Sequence, residues 1–216
     1  MDILVGKKPR PLPEEAWSGL LANASQVLVD IGTGDGSFVL RSAREHPDWL
    51  CIGVDPVAEA MAGTSRRAAA KPARGGVGNA LFLVASVENL PRELAGVAAR
   101  VTVNYPWGSL LKALVVPLPP MLSNIAGVAR TGARFDFLIN LSVFHDAEYR
   151  ARLGLPDLDI DRVWNELAPL YRGSGLEIEQ AELLEDSERA RSAWGNRLVL
   201  GARRETLAIR GRFLQI

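Results

Sequence analysis

Asp30-Ile31-Gly32-Thr33-Gly34-Asp35-Gly36 places a glycine at every second position behind an aspartate. Glycine lets a ligand approach the backbone without a Cβ in the way. The acid closes the apolar run Val27–Ile31, where it can meet a cation rather than a pyrophosphate. The spacing departs from the G-x-G-x-x-G fingerprint of nicotinamide sites, with serine at position 37. Asp55, followed by Pro56, ends a second apolar run 19 residues beyond Gly36. A carboxylate there can hold the two hydroxyls of a ribose. Ala85-Ser86-Val87-Glu88 follows a third apolar run and would border an adenine. Singly, these features have plainer readings: a turn, a cap for a helix beginning at Pro56, a surface acid. In order, at the ends of successive strands, they point to a nucleoside cofactor that also carries an amino acid.

Two tryptophans stand apart from apolar neighbours. Trp107 lies in Tyr105-Pro106-Trp107-Gly108-Ser109, and Trp194 in Arg191-Ser192-Ala193-Trp194-Gly195-Asn196-Arg197. Two indoles near a cofactor form a clamp for a flat heteroaromatic substrate. Trp49 and Trp164 sit among apolar residues and read as core. The formal charge sums to zero, but it is unevenly spread. Residues 145–188 carry twelve acids against four arginines, and residues 189–212 carry seven arginines against one acid. Residues 61–77 hold Arg66, Arg67, Lys71 and Arg74 with no acid. A chain neutral in sum and basic in two blocks still offers a local field to phosphate.

These residues need a frame. Apolar runs at 27–31, 50–55, 80–85, 99–104 and 135–141 alternate with helical stretches at 37–45, 57–70, 110–116, 121–129 and 160–171. That alternation predicts a parallel sheet with helices on both faces. Two more strands, over 176–183 and 205–213, end the chain. Residues 1–24 read as an extension: a short strand at Ile3-Leu4-Val5, a turn near Gly6, a proline-spaced stretch and a helix from Pro13. Residues 25–216 form the main domain. The chain's 216 residues, 48% hydrophobic and 23% charged, have ordinary globular composition, which excludes a disordered chain. No apolar run reaches the roughly 18 residues of a membrane span. One cysteine excludes an internal disulfide and fits a reducing compartment, and two histidines with one cysteine are too few for a zinc site.

The arrangement resembles the class I, Rossmann-like methyltransferases that use S-adenosylmethionine. This implies a mostly parallel seven-stranded sheet with a C-terminal antiparallel pair and a short N-terminal β extension. The resemblance narrows with Ala69-Ala70-Lys71-Pro72-Ala73-Arg74-Gly75-Gly76, Pro106-Trp107-Gly108-Ser109-Leu110-Leu111 and Trp194-Gly195-Asn196-Arg197-Leu198. With the glycine loop, these occur in the order seen in the aminoglycoside-resistance methyltransferases that modify N1 of adenosine 1408 in 16S rRNA. Nearly the whole chain is similar, least so over residues 145–160.

That family implies a role for each matching residue. Asp30, Gly32, Gly34, Asp55 and Pro56 hold the cofactor, and Ala85 and Glu88 lie beside its adenine. Ser109 and Ser192 lie near its amino-acid end. Trp107 and Trp194 sandwich the target adenine, and Arg204 grips the backbone of the flipped nucleotide. Arg66, Arg67, Lys71 and Arg74, with Arg197 and Arg203, dock on RNA. The implied product is S-adenosylhomocysteine, the implied partner a 30S subunit, and the implied state a cytoplasmic monomer off the membrane and without metal. Three rivals stand beside this reading. One is another RNA methyltransferase, such as one acting on guanosine N7 of tRNA. The second is a non-catalytic cofactor- or RNA-binding module, which the paired Asp30 and Asp55 oppose. The third is a small-molecule methyltransferase, which the basic blocks oppose.

Overall fold

The computed structural model describes residues 1–184 and 205–215. The chain opens with the hairpin β1 (Asp2–Val5) and β2 (Lys8–Pro11), followed by α1 (Glu14–Asn23). Then β3 (Gln26–Ile31), α2 (Ser37–Glu45), β4 (Trp49–Asp55), α3 (Ala58–Ala68) and β5 (Ala80–Val84) alternate. β6 (Ala98–Asn104) leads into α4 (Gly108–Val115) and α5 (Pro119–Gly127), and then into β7 (Ala129–Asn140). Helices α6 (Ala147–Leu153), α7 (Ile160–Arg162) and α8 (Ala168–Gly173) precede β8 (Leu176–Leu184) and β9 (Thr206–Phe213). The seven-stranded sheet runs β5-β4-β3-β6-β7-β9-β8, parallel through β7 and antiparallel where β9 joins β7 and β8.

The runs become strands because both faces of the sheet are covered where they lie. Val27, Val29 and Ile31 join a large cluster with Trp17, Leu111, Ile125 and Tyr171, under α1, α4, α5 and α8. Leu28, between them, packs the other way with Val39, Met61 and Phe82 under α2 and α3. Alternate residues of one strand thus feed two cores. The buried Tyr171 satisfies its hydroxyl by donating to the Leu114 carbonyl at 3.0 Å. Among the described residues no single helix is long and apolar enough to cross a membrane.

Five local readings need correction or completion. The proline-spaced stretch is a strand: β2 pairs with β1, Leu4 opposite Pro9, and is exposed throughout, as a proline-bearing edge strand must be. The 160–171 helix is broken by a π-helical turn over Val163–Leu167, in which Ala168 N–H donates to Val163 O. Pro169 follows directly and has no N–H to continue the regular ladder. Trp164 is therefore not core: Val163 and Leu167 form the buried stripe, and Trp164, one position off it, is 42% exposed. Trp49 is half-buried and stacks on His46, ring centroids 4.0 Å apart. The acidic stretch holds α6, which the sequence reading left unassigned; Asp146 caps it by accepting the Tyr149 N–H at 2.9 Å.

Candidate functional site

The strand order reverses between β3 and β6, and a crevice opens outside the carboxyl ends of strands at such a point. A cavity of about 440 Å³ lies there, lined from the ends of β3, β4, β5 and β6. Asp30, Gly32, Gly34, Asp55, Pro56, Ala85, Glu88, Trp107 and Ser109 all line it, so one cavity gathers every described residue of the sequence-predicted cofactor and base set.

Asp30 is 1% exposed. Its Oδ1 accepts the Thr102 hydroxyl at 2.7 Å and the Asn104 side-chain amide at 2.8 Å, both from β6. The parallel register that sets Asp30 beside Thr102 makes this pairing possible. Its Oδ2 is buried and has no hydrogen-bond partner. Burial pushes the carboxyl up to about 6, offset in part by the neighbouring Thr33 hydroxyl and then by Thr102 and Asn104, with a further push from Asp55. An acid with one oxygen satisfied and one orphaned beside a cavity is completed by a cationic ligand group.

Asp55 binds backbone on both sides. Its Oδ2 accepts the Gly34 N–H at 2.9 Å and its Oδ1 the Val57 N–H at 2.8 Å. It therefore locks the glycine loop to the turn after β4 while each oxygen keeps lone-pair capacity for a ribose hydroxyl. Gly32 is required here: its φ is +72°, and a Cβ would stand 2.5 Å from Leu110 Cδ2. The loop with Asp30, Asp55, and Ala85 with Glu88 fit in turn the amino, ribose and adenine groups of S-adenosylmethionine. Glu88, on the β5 side, is held below the usual carboxylate range, mainly by its own backbone N–H and then by the hydroxyls of Ser86 and Ser109.

The end of β6 presents the aromatic. Tyr105 takes a left-handed backbone (φ 53°) while its N–H donates to Leu138 O at 2.7 Å, and its buried side chain packs with Leu138, Leu184 and Ala208. A non-glycine residue holds that conformation only where its surroundings fix it. The kink sends Pro106 and Trp107 over the cavity, with Trp107 51% exposed. Tyr149 of α6 meets the Trp107 ring edge-on, centroids 5.3 Å apart at 76°.

Thr102, Asn104 and Tyr149 were missed by sequence reasoning. A signal existed for the first two, since Thr102 and Asn104 alternate on the strand beside Asp30. None existed for Tyr149, 42 positions from Trp107.

Arg66 and Arg67 close α3, Lys71 precedes the short 3₁₀ turn Pro72–Arg74, and Arg74 ends it. All four are exposed, and none lines the cavity. The turn is compact: Val77 N–H donates to Ala68 O at 2.8 Å, and Arg44 reaches Gly75 O at 2.9 Å. Ser192, Trp194, Arg197, Arg203 and Arg204 lie outside the described residues.

Known proteins share this arrangement. The family model NpmA: 16S rRNA (adenine(1408)-N(1))-methyltransferase matches residues 2–213. A 16S rRNA (adenine(1408)-N(1))-methyltransferase of Escherichia coli is 32% identical, covering 98% of each chain. The antibiotic-resistance methyltransferase Kmr superposes over 100% of both chains with TM-score 0.85 and 44% identity. A mutant of the 16S rRNA (adenine(1408)-N(1))-methyltransferase from Catenulisporales acidiphilia, solved with its cosubstrate SAM, gives TM-score 0.92 and 33% identity over 100% of this chain and 97% of that one. Sequence match along nearly the whole chain and a cavity at the sheet's switch point that gathers the expected cofactor residues agree: the chain belongs to the 16S rRNA (adenine(1408)-N(1))-methyltransferase family.

Proposed function

We propose that this chain methylates N1 of adenosine 1408 of 16S rRNA, within the assembled 30S subunit, and so confers resistance to aminoglycosides that contact that base. The observation that carries this reading is the buried, half-satisfied Asp30 in the same cavity as the exposed Trp107. One needs a cationic ligand group; the other offers a π-face to a flat base. When bound, S-adenosylmethionine supplies an electrophilic methyl on a sulfonium and leaves as neutral S-adenosylhomocysteine.

The chain's own residues bind and orient. N1 of neutral adenine has a lone pair and no proton, so no general base acts before transfer, and placement is the main catalytic demand. Extracting a base costs a few kcal/mol. Stacking contributes about 1–3 kcal/mol per base, so Trp107 with Trp194 offsets much of that cost. Their faces also favour the positive charge that develops on the methylated base. Family resemblance supports Arg204 as the grip on the flipped nucleotide, Ser192 beside the cofactor, and Arg197 and Arg203 with the 66–74 turn as RNA contacts. The enzyme acts as a cytoplasmic monomer, with residues 25–216 as the catalytic domain and 1–24 as its extension.

The test is a reverse-transcription stop map of 16S rRNA after incubation of 30S subunits with enzyme and cofactor. N1 methylation blocks base pairing, so a cofactor-dependent stop at adenosine 1408 is expected. A guanosine-N7 enzyme leaves base pairing intact and gives no stop. Methyl incorporation without that stop rules out the N1 assignment.

A further inference from the structure

The N-terminal hairpin has an unusual economy. Its inner strand β1 buries Leu4, 4% exposed, among Met61, Ala68 and Phe82. Its outer strand β2 is exposed at every position and buries nothing. The tip and outer strand carry Lys7, Lys8 and Arg10, with no acid between residues 3 and 13. All three are exposed, and none is ion-paired among the described residues.

The hairpin is also fixed in place. Gly6 N–H donates to the Ser65 hydroxyl of α3 at 3.0 Å, and Ser65 donates back toward Gly6 O at 3.4 Å. A Cβ built on Gly6 would lie 3.8 Å from Arg66 Cβ. The lysine pair therefore starts one residue after a glycine hydrogen-bonded to Ser65, which is followed by Arg66, Arg67 and the Lys71–Arg74 turn. Arg66, Arg67, Lys71 and Arg74 are likewise exposed and outside every ion pair among the described residues. Gathering like charges on one edge opposes folding by self-repulsion, and a polyanion relieves that repulsion on binding. Pinning the hairpin to α3 holds the charges in a fixed layout, which lowers the ordering cost of a shape-specific contact.

We infer that the β1–β2 hairpin is part of the RNA-docking surface, with Lys7, Lys8 and Arg10 extending the 66–74 turn to engage the phosphate backbone of a folded RNA. This rests on the proposed rRNA function and adds to it a contact region that the sequence reading placed only in an extension. The edge is distinct from the cavity, which none of these side chains lines.

The experiment measures 30S affinity against salt for the wild type, for Lys7→Glu/Lys8→Glu and for Arg66→Glu/Arg67→Glu. S-adenosylmethionine calorimetry and circular dichroism check that each variant is folded. The hairpin variant should keep cofactor affinity and bind 30S about ten-fold less tightly at low salt, its log–log salt slope shallower by about 1.5 for two lost phosphate contacts. Lys7→Gln/Lys8→Gln should show a smaller loss in the same direction. If the folded hairpin variant matches wild type in affinity and slope while the Arg66/Arg67 variant is weakened, the hairpin is not a contact and the function stands. A wild type with no salt-dependent 30S affinity at all would instead overturn the proposed function, and this inference with it.

Discussion

The Tyr149 hydroxyl accepts the Gly108 backbone N–H at 3.0 Å. Gly108 opens α4, so this N–H is one of the donors a helix N-terminus leaves unsatisfied. The same tyrosine touches the Trp107 ring edge-on, and Arg152 covers it with its guanidinium 5.2 Å from the ring centroid. Trp107 is half exposed, and Tyr149 is the ring that touches its indole, so this contact is a candidate for holding the ring plane.

Tyr149→Ala should therefore slow single-turnover methylation about ten-fold, since one hydrogen bond and one edge-on ring contact each contribute about 0.5–1.5 kcal/mol. Tyr149→Phe keeps the ring and leaves Gly108 N–H to water, so its loss should be smaller. Cofactor affinity should stay near wild type in both, and tryptophan emission should shift in Tyr149→Ala. Wild-type single-turnover rates in a folded Tyr149→Ala variant would show that the ring plane of Trp107 is set elsewhere.

Asp30 gives a prediction with a definite sign. In the folded, empty protein its pKa rises from 3.8 to about 6, so the native state holds the proton more tightly than the unfolded chain. Stability from this residue is present at low pH and is lost as pH rises through about 4 to 6. At neutral pH the buried carboxylate therefore costs the cofactor-free protein stability. Asp30→Asn should then raise the melting temperature of the empty protein near pH 7 while abolishing calorimetric S-adenosylmethionine binding. Wild-type cofactor affinity should fall as pH drops below about 6. An Asn variant that melts earlier than wild type would mean the carboxylate already has its counter-charge, and one that still binds would mean Asp30 does not anchor the cofactor.

The parallel half of the fold was readable because β3 to β6 are short apolar runs, and β3, β4 and β6 are closed by glycine, an acid or proline. Those closing residues also line the site, which is why Asp30, Asp55 and Trp107 could be picked out in order. What escaped reading depends on contacts distant in sequence. Thr102 and Asn104 matter only through the register of β3 against β6. Tyr149 matters only because α6 folds back onto the start of α4. Trp164 misled for a local reason: apolar neighbours suggested burial, but the stripe of its helix runs through Val163 and Leu167. In β2, Pro9 and Pro11 gave no strand signal, yet an edge strand tolerates proline where its N–H would face water.

The Lys71–Gly76 segment has a mechanical requirement that its charges conceal. A Cβ on Gly76 would lie 1.7 Å from the Ala70 carbonyl oxygen, a backbone atom that cannot swing aside. Gly76→Ala must displace the turn that presents Lys71 and Arg74, and strain of this kind costs about 1–3 kcal/mol. Thermal melting should detect that loss. Binding to 30S should weaken although no charge is removed, and cofactor affinity should hold because the turn does not line the cavity. Unchanged 30S affinity would show that the turn's shape is irrelevant and only its charge counts.

Docking and base capture should separate, because the residues proposed for the two roles do not share the cavity. Trp107 lines the cavity, whereas Arg66, Arg67, Lys71 and Arg74 do not. Trp107→Ala removes about 1–3 kcal/mol of stacking while the cost of extracting the base remains. It should keep most 30S affinity yet lose methylation and aminoglycoside resistance. Since the indole is half exposed, its removal leaves no core cavity, and the melting temperature should stay near wild type. Neutralising Arg66 and Arg67 should do the reverse, weakening 30S binding in a salt-dependent way with turnover partly restored at high enzyme concentration. The decisive comparison is rate at saturating enzyme: low for Trp107→Ala and near wild type for the arginine variant. If Trp107→Ala methylates 30S at the wild-type rate when saturated, the indole does not hold the target base.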